Sequence, residues 1–479
     1  MPAVRENPAF ALFISASVDC ARIEKVEHMI ETRKQLFSTR ELVRLIIPLI
    51  IEQSLAILVG MCDGIMVSSV GEAAISGVSL VDMINNVVLN LFAALATGGA
   101  VVTSQYLGAR NRNAARDSAG QLVTMALFFG LAVMAACLIF AHGLLKLFFG
   151  SIAADVMAAG LTYFRITALS FPFIALYNAG AAIFRSVGNS KLSMKVSMLM
   201  NVINVSGNAL CIYGLKMGVA GVAVPTLVSR AVAAGVILSL ASGKGQELSV
   251  SGKNLFPLRM GMMKKILHIG IPSAFENSLF QLGRVIVVSM IALFGTSQTS
   301  ANAVANNLDA LGVIIGQATS LAMVTVVGRC IGAGDTGQAT YYAKKLMRWV
   351  YLYQGALNIV LMIFVNPLIG LYKSLSPETV ALARILVLTH QGFAVLLWPA
   401  SFVLPNALRA ANDVRFTMVV SIASMAILRV GASWVLCVHL GMGAIGVWIA
   451  MVLDWICRTA FFVGRMVSGK WKTKYAFGQ

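Results

Sequence analysis

The stretch IIPLIIEQSL, Ile46–Leu55, returns 224 positions later as GIPSAFENSL, Gly270–Leu279. The register then holds without a gap for about sixty residues: Pro48 falls on Pro272, Glu52 on Glu276, Ser54 on Ser278, Gly71 on Gly295, Ser76 on Ser300 and Gly108 on Gly332. A repeated proline or glycine is common, but an acid repeated at one offset inside an apolar run is not. The chain reads as two copies of one membrane unit, and the seam between copies is where a substrate is expected.

Composition supports a bilayer as the solvent. Hydrophobic residues make up 58% and charged residues 12% of the 479, with a mean hydropathy of +0.83; a soluble domain is about half apolar and a quarter charged. The formal charge of +18 raises the question of nucleic acid, but the basic residues sit in alternate loops and form no such footprint. The seven cysteines make no CxxC pair and most lie in apolar runs, so inert thiols are expected in place of disulfides or a metal centre. The run Phe10–Ala16 is too short to span and has no basic stretch ahead of it, so no signal peptide is expected. Met29 would serve equally well as a start, and residues 1–28 are expected to carry no chemistry.

A spanning helix needs about 20 mostly apolar residues. On that measure the spans fall at 44–69, 78–106, 118–148, 159–184, 192–214, 218–241, 265–294, 303–330, 339–371, 380–408, 414–438 and 443–467. This predicts an all-α integral membrane protein of twelve helices in two six-helix lobes around a central cleft. The lobes cover 41–242 and 263–468, with tails at 1–40 and 469–479 and a linker at 243–262. An even number of spans per copy makes these parallel repeats. Lysine and arginine concentrate in the tails and alternate loops, including Arg110, Arg112, Arg116, Arg185, Arg329, Lys344, Arg409 and Arg415; the intervening loops hold only Lys146, Lys216 and Lys373. Both termini are therefore expected in the cytoplasm. Later elements echo too: Arg185 matches Arg409 at the same offset, and the Met217–Gly221 run matches Met442–Gly446 at 225.

An ionisable group at mid-bilayer costs about 2.5–3.5 kcal/mol, so such groups are expected to be paired, to face water or to bind something. They are Glu52, Asp63, Asp82, Arg165, Arg230, Glu276, Arg284, Asp309, Arg384, Arg429, Asp454 and Arg458. Asp63, with Gly60 and Gly64 nearby, reads either as a site for Na⁺ or H⁺ or as a carboxylate satisfied by amides. Glu52 and Glu276 each follow a proline by four residues, and the missing proline N–H loosens that turn. They read either as gate or ion ligands or as partners of arginines, with Arg284 at hand for Glu276. Gln53, Glu276, Asn277, Gln281, Arg284 and His390 form the expected substrate and gating set. Asp454 and Arg458, one turn apart, are expected to pair, with Arg429 beside them, as structural ion pairs. The five histidines show no ligand spacing, and the 24 methionines suit a repacking cleft or ordinary membrane helices equally. GRMVSGKW at Gly464–Trp471 nearly spells a phosphate-binding loop but lacks the Ser or Thr after its lysine and any preceding strand, so ATP coupling within the chain is excluded. No nucleophile–base constellation points to an enzyme.

The Asp63-Gly-Ile-Met-Val67 run, GGAVVTSQYLGAR at Gly98–Arg110, FRSVGN at Phe184–Asn189, MGVAG at Met217–Gly221 and the closing GVWIAMVLDW at Gly446–Trp455 resemble the multidrug and toxic compound extrusion (MATE) family. The resemblance spans about residues 40–470. It implies export of organic cations and other amphipathic small molecules in exchange for Na⁺ or H⁺, with no other cofactor, no nucleic acid, no ATP-binding subunit and a monomer in the bacterial inner membrane. It implies a cation site on Asp63, completed by Asn204, Asn208 and Thr226, with Asn178 entering it. Asn208 stands where some members carry a second acid, which favours a monovalent ion or one proton. No metal site other than Na⁺ at Asp63 is implied. The alternative within transport is a flippase for a lipid-linked sugar, which would use Arg165, Arg230, Arg284 and Arg429 for pyrophosphate.

Overall fold

The computed structural model describes residues 35–150, 153–243, 248–256, 258–372 and 375–474. Residues 1–34, with the expected start-site ambiguity, and Lys373 lie outside them. Among the described residues there are helices and no strands. The first half holds α1 (Thr39–Ser68), α2 (Glu72–Gly108), α3 (Arg112–Ile139), α4 (Ala141–Phe149), α5 (Ala154–Leu169), α6 (Phe171–Ser186), α7 (Ser190–Ala209) and α8 (Ala220–Ala241). A short α9 (Gly252–Leu255) leads into the second half. There follow α10 (Met260–Ala292), α11 (Thr296–Gly312), α12 (Ile314–Gly332), α13 (Thr336–Ile363), α14 (Val365–Gly370), α15 (Pro377–Leu396), α16 (Leu404–Ala410), α17 (Val414–Ser424) and α18 (Gly443–Val467).

Among the described residues ten helices are long and apolar enough to cross a membrane, α17 being continued through π-helical turns to His439, and α5 with α6, bent by 45°, gives an eleventh if the pair is taken as one span. The 33-residue α10 is the twelfth; Glu276, Asn277, Gln281 and Arg284 lower its hydropathy. The expected spans are recovered with shifted ends. α1 starts at Thr39 because Ser38 and Glu41 form a reciprocal capping box, which the apolar count could not see. The expected single helix 159–184 breaks at Ser170, where Phe171-Pro172 opens α6 without the proline's N–H. The stretch 303–330 likewise breaks at Val313.

The apolar core forms two clusters, one mostly from the first half and one mostly from the second. The leading helices cross between them: Phe37, Leu42, Leu45 and Leu49 pack in the second cluster, while Ile266 and Ile269 pack in the first. The segments before those helices are strapped across in the same way. Phe37 N–H donates to Tyr342 Oη at 3.0 Å, and Arg259 N–H donates to Gln121 Oε1 at 3.0 Å. Arg259 also pairs with Asp117.

At the end of the bundle that carries Arg110, Arg112 and Arg329, the seam is closed by repeat-matched contacts. A side chain at Gly108 would run into the Arg329 carbonyl, and one at Gly332 into the Gln105 carbonyl. Gln105 Nε2 donates to the Ala410 carbonyl at 2.8 Å, and Arg329 Nε to the Ser186 carbonyl at 2.9 Å. These positions correspond in pairs at the 224-residue offset, so each half latches the other by one rule. Gly108→Val and Gly332→Val are each expected to hold the halves apart here. Amide hydrogen exchange over 100–108 and 322–332 should then rise well above wild type; unchanged exchange would contradict the latch.

Candidate functional site

Between the halves lies a cavity of about 660 Å³. Its floor is built twice from the repeat. Glu52 in α1 faces Arg185, the last turn of α6, at 3.7 Å, and takes further bonds from the Ser193 hydroxyl at 3.0 Å and the Tyr177 hydroxyl at 3.4 Å. Glu276 in α10 faces Arg409, the last turn of α16, at 2.6 Å and Arg458 at 3.6 Å. Both acids are buried. A buried carboxylate is tolerable only with partners of this kind.

Several expectations are corrected here. Arg185 and Arg409 are not loop charges turned to solvent: they end their helices and point back into the cavity floor. Glu276 does not pair with Arg284, which lies two turns along the same helix, about 12 Å away by helical rise; the neighbouring helices bring Arg409 and Arg458 closer. Asp454 and Arg458 do not pair with each other. Asp454 accepts from the Ser424 hydroxyl, while Arg458 donates to Ser421 Oγ at 3.0 Å and leans toward Glu276. Arg429 lies over the Phe280 ring at 5.7 Å. Arg165 is exposed, and Arg230 donates to the Ser170 hydroxyl at 2.8 Å. Of the four arginines considered for pyrophosphate, only Arg284 and Arg429 line the cavity.

Gln53, Asn277, Gln281, Arg284 and His390 line the cavity with Glu276, as grouped from the sequence. His390 contacts Asp309 through Nδ1 and is wedged edge-on between Trp448 and Trp455, at ring distances of 5.6 and 4.8 Å. Asp309 was visible as an acid in an apolar run, but its histidine partner is 81 positions away in sequence and had no local signal.

A second polar cluster lies in the first half. Asn208 Nδ2 donates to Asp63 Oδ1 at 2.7 Å and to Asn204 Oδ1 at 3.4 Å, and Asn204 Nδ2 donates to Thr226 Oγ1 at 3.0 Å. The structure thus brings Asp63, Asn208, Asn204 and Thr226 together. Asn178 is not with them; it lines the central cavity. Asp82 and Arg230 stand close enough for their charges to be felt at Asp63. Asp82 accepts from Tyr163 Oη at 3.1 Å and Asn85 Nδ2 at 3.3 Å. No group of three or more metal-ligating His, Cys, Asp or Glu side chains occurs among the described residues.

The MatE family model matches residues 48–210 and 272–435, one match per repeat. The chain belongs to the MatE family. A relative in Bacillus subtilis, the uncharacterized transporter YisQ, is 29% identical over 92% of this chain and 97% of its own. The probable multidrug resistance protein NorM of Thermotoga maritima is 27% identical, over 91% and 93%. An outward-facing structure of a multidrug resistance MATE transporter superposes with a TM-score of 0.84 at 21% identity, covering 90% of this chain and 96% of that one. These matches make the chain an all-α membrane transporter of the MatE type.

The floor pairs are unequal. Glu276→Gln strips Arg409 and Arg458 of their shared acid and is expected to cost about 3–5 kcal/mol of stability. Glu52→Gln should cost less, because the Ser193 and Tyr177 hydroxyls can still bond an amide. Melting temperatures in detergent check this; an equal loss for both variants would contradict the assignment.

Proposed function

We propose that the chain exports amphipathic organic compounds from the cytoplasm in exchange for Na⁺ or H⁺, by alternating access across the bacterial inner membrane. Both termini are cytoplasmic, and the protein works as a monomer without an ATP-binding subunit. The observation that carries the coupling is the Asp63 cluster. Asn208 gives both amide hydrogens to oxygens, so its own Oδ1 is buried with no donor facing it. An orphaned amide oxygen beside a carboxylate suits a small cation or a proton carrier. That cluster is separate from the cavity, so an ion and an organic compound would act on each other through the conformation of the halves.

The basic loops lie at the latched end, so the positive-inside rule makes that end cytoplasmic. Cation binding must favour one arrangement of the halves by differential affinity, and that difference drives release and reset. The naming of the Thermotoga relative as a probable multidrug resistance protein supports export over flipping of a lipid-linked sugar.

Proteoliposomes given separate Na⁺ and proton gradients are expected to move an amphipathic dye uphill with one or both. Asp63→Asn should abolish uphill movement while leaving insertion and melting temperature unchanged, and Asn208→Asp should raise the apparent cation affinity. Gradient-driven efflux that survives in Asp63→Asn would remove this carboxylate from the coupling.

A further inference from the structure

The guanidinium groups of Arg185, Arg284, Arg409, Arg429 and Arg458 line the cavity against the carboxylates of Glu52, Glu276 and Asp309. Arg185 and Arg409 are engaged at the floor by Glu52 and Glu276, and Asp309 is turned to His390. Asp454 sits within electrostatic reach of Arg429 and Arg458 but spends its bonded oxygen on Ser424. Even with Asp454 counted, one positive charge stays uncompensated.

The donors make the sharper point. Arg458 is 3% exposed, yet its Nε and Nη1 meet no acceptor in the protein; the Nε of Arg429 meets none either. A buried guanidinium N–H left unbonded is costly. Arg284 is exposed and makes no ion pair among the described residues. Aromatic rings flank these groups: the Arg458 guanidinium carbon lies 4.5 Å from the centre of the Phe402 ring and 5.7 Å from that of Phe280, over which Arg429 also lies. Trp398 stacks on Phe402 at 5.1 Å. A ring takes none of a guanidinium's N–H groups, and those left unbonded on Arg429 and Arg458 are the ones that bond an oxyanion.

We infer that the cavity binds an amphipathic anion, its carboxylate or phosphate held by Arg284, Arg429 and Arg458 and its apolar body against Phe280, Phe402 and Trp398. This deepens the export proposed above by naming the substrate class, and it rests on that same cavity. An organic cation would meet a net positive lining there.

The test is equilibrium binding to the purified full chain in detergent, read by tryptophan quenching or calorimetry. Umbelliferyl phosphate is compared with its neutral parent umbelliferone and with ethidium. The phosphate is expected to bind about tenfold or more tightly than the neutral parent, and Arg429→Gln to erase that difference while leaving umbelliferone unaffected. Arg284→Gln, at an exposed position, should reduce the preference without a fold penalty, so a misfolded Arg429 variant does not end the test. Equal affinity for phosphate and neutral parent, tighter binding of ethidium, or an unaltered preference in Arg284→Gln overturns the inference. Ethidium binding with gradient-driven efflux sinks the anion and keeps the antiport. Anion binding with no gradient-driven transport does the reverse.

Discussion

Two carboxylate–guanidinium pairs, Glu52–Arg185 and Glu276–Arg409, fix the latched end of the cavity, and the rest of the architecture depends on them. Neither partner could remain charged there alone, because removing an ion from water costs several kcal/mol even after relaxation. The pairs also set backbone. Each arginine stands one residue before the carbonyl, of Ser186 or Ala410, that accepts the latch from the opposite half. A pair that holds the arginine therefore holds the helix end, and with it the acceptor that closes the seam. The same geometry places the charged floor beside the closure, where a change at one is felt at the other.

The helix α1 joins that floor to the Asp63 cluster. Glu52 and Asp63 are 11 residues apart on it, about 16 Å by helical rise. Coupling between two ligands needs one element whose position both can bias. α1 meets that requirement physically: its N-terminal end packs with the second half's core through Leu42, Leu45 and Leu49, while its C-terminal end carries Asp63 into a hydrogen bond with the first half's α7. A shift of either end relative to the other has to strain Pro48 or move the whole rod.

Most of this was legible in the residues. The length of the apolar runs gave the twelve crossings, and the repeat offset gave the two halves, since a match such as Glu52 with Glu276 survives only in a duplicated environment. Asp63 stood out as an acid in an apolar run, and a family pattern added Asn204, Asn208 and Thr226, which meet it in space as a hydrogen-bonded chain, and Asn178, which lies in the cavity instead. What local sequence could not supply was partner choice. Arg284 is near Glu276 in sequence and far on the helix, whereas Arg409 is distant in sequence and adjacent in the fold. Arg185 and Arg409 looked like loop charges because a last-turn arginine and a loop arginine differ only in which way the helix end faces. The crossing of the leading helices was also hidden, since an apolar stripe does not say which core it enters.

The repeat separates what is structural from what is chemical in this chain. The floor is kept in both copies: Glu52 with Glu276, Arg185 with Arg409, Gly108 with Gly332. The chemistry is not. Asp63 corresponds to Val287, and Arg284 to Gly60, so each half has lost the other's charge. On α2 and α11 the exchange is reciprocal: Asp82 corresponds to Asn306, and Asn85 to Asp309. A symmetric latch lets either half open against the other by the same motion, whereas two ligands that must be told apart require unlike surroundings. One half keeps an acid among amides and a hydroxyl, the oxygen-rich surroundings proposed above for a small cation. The other gathers arginines around aromatic rings at the cavity wall, joining charge to apolar surface. The proposed exchange uses that divergence, because a site repeated in both halves would offer two ligands the same surroundings.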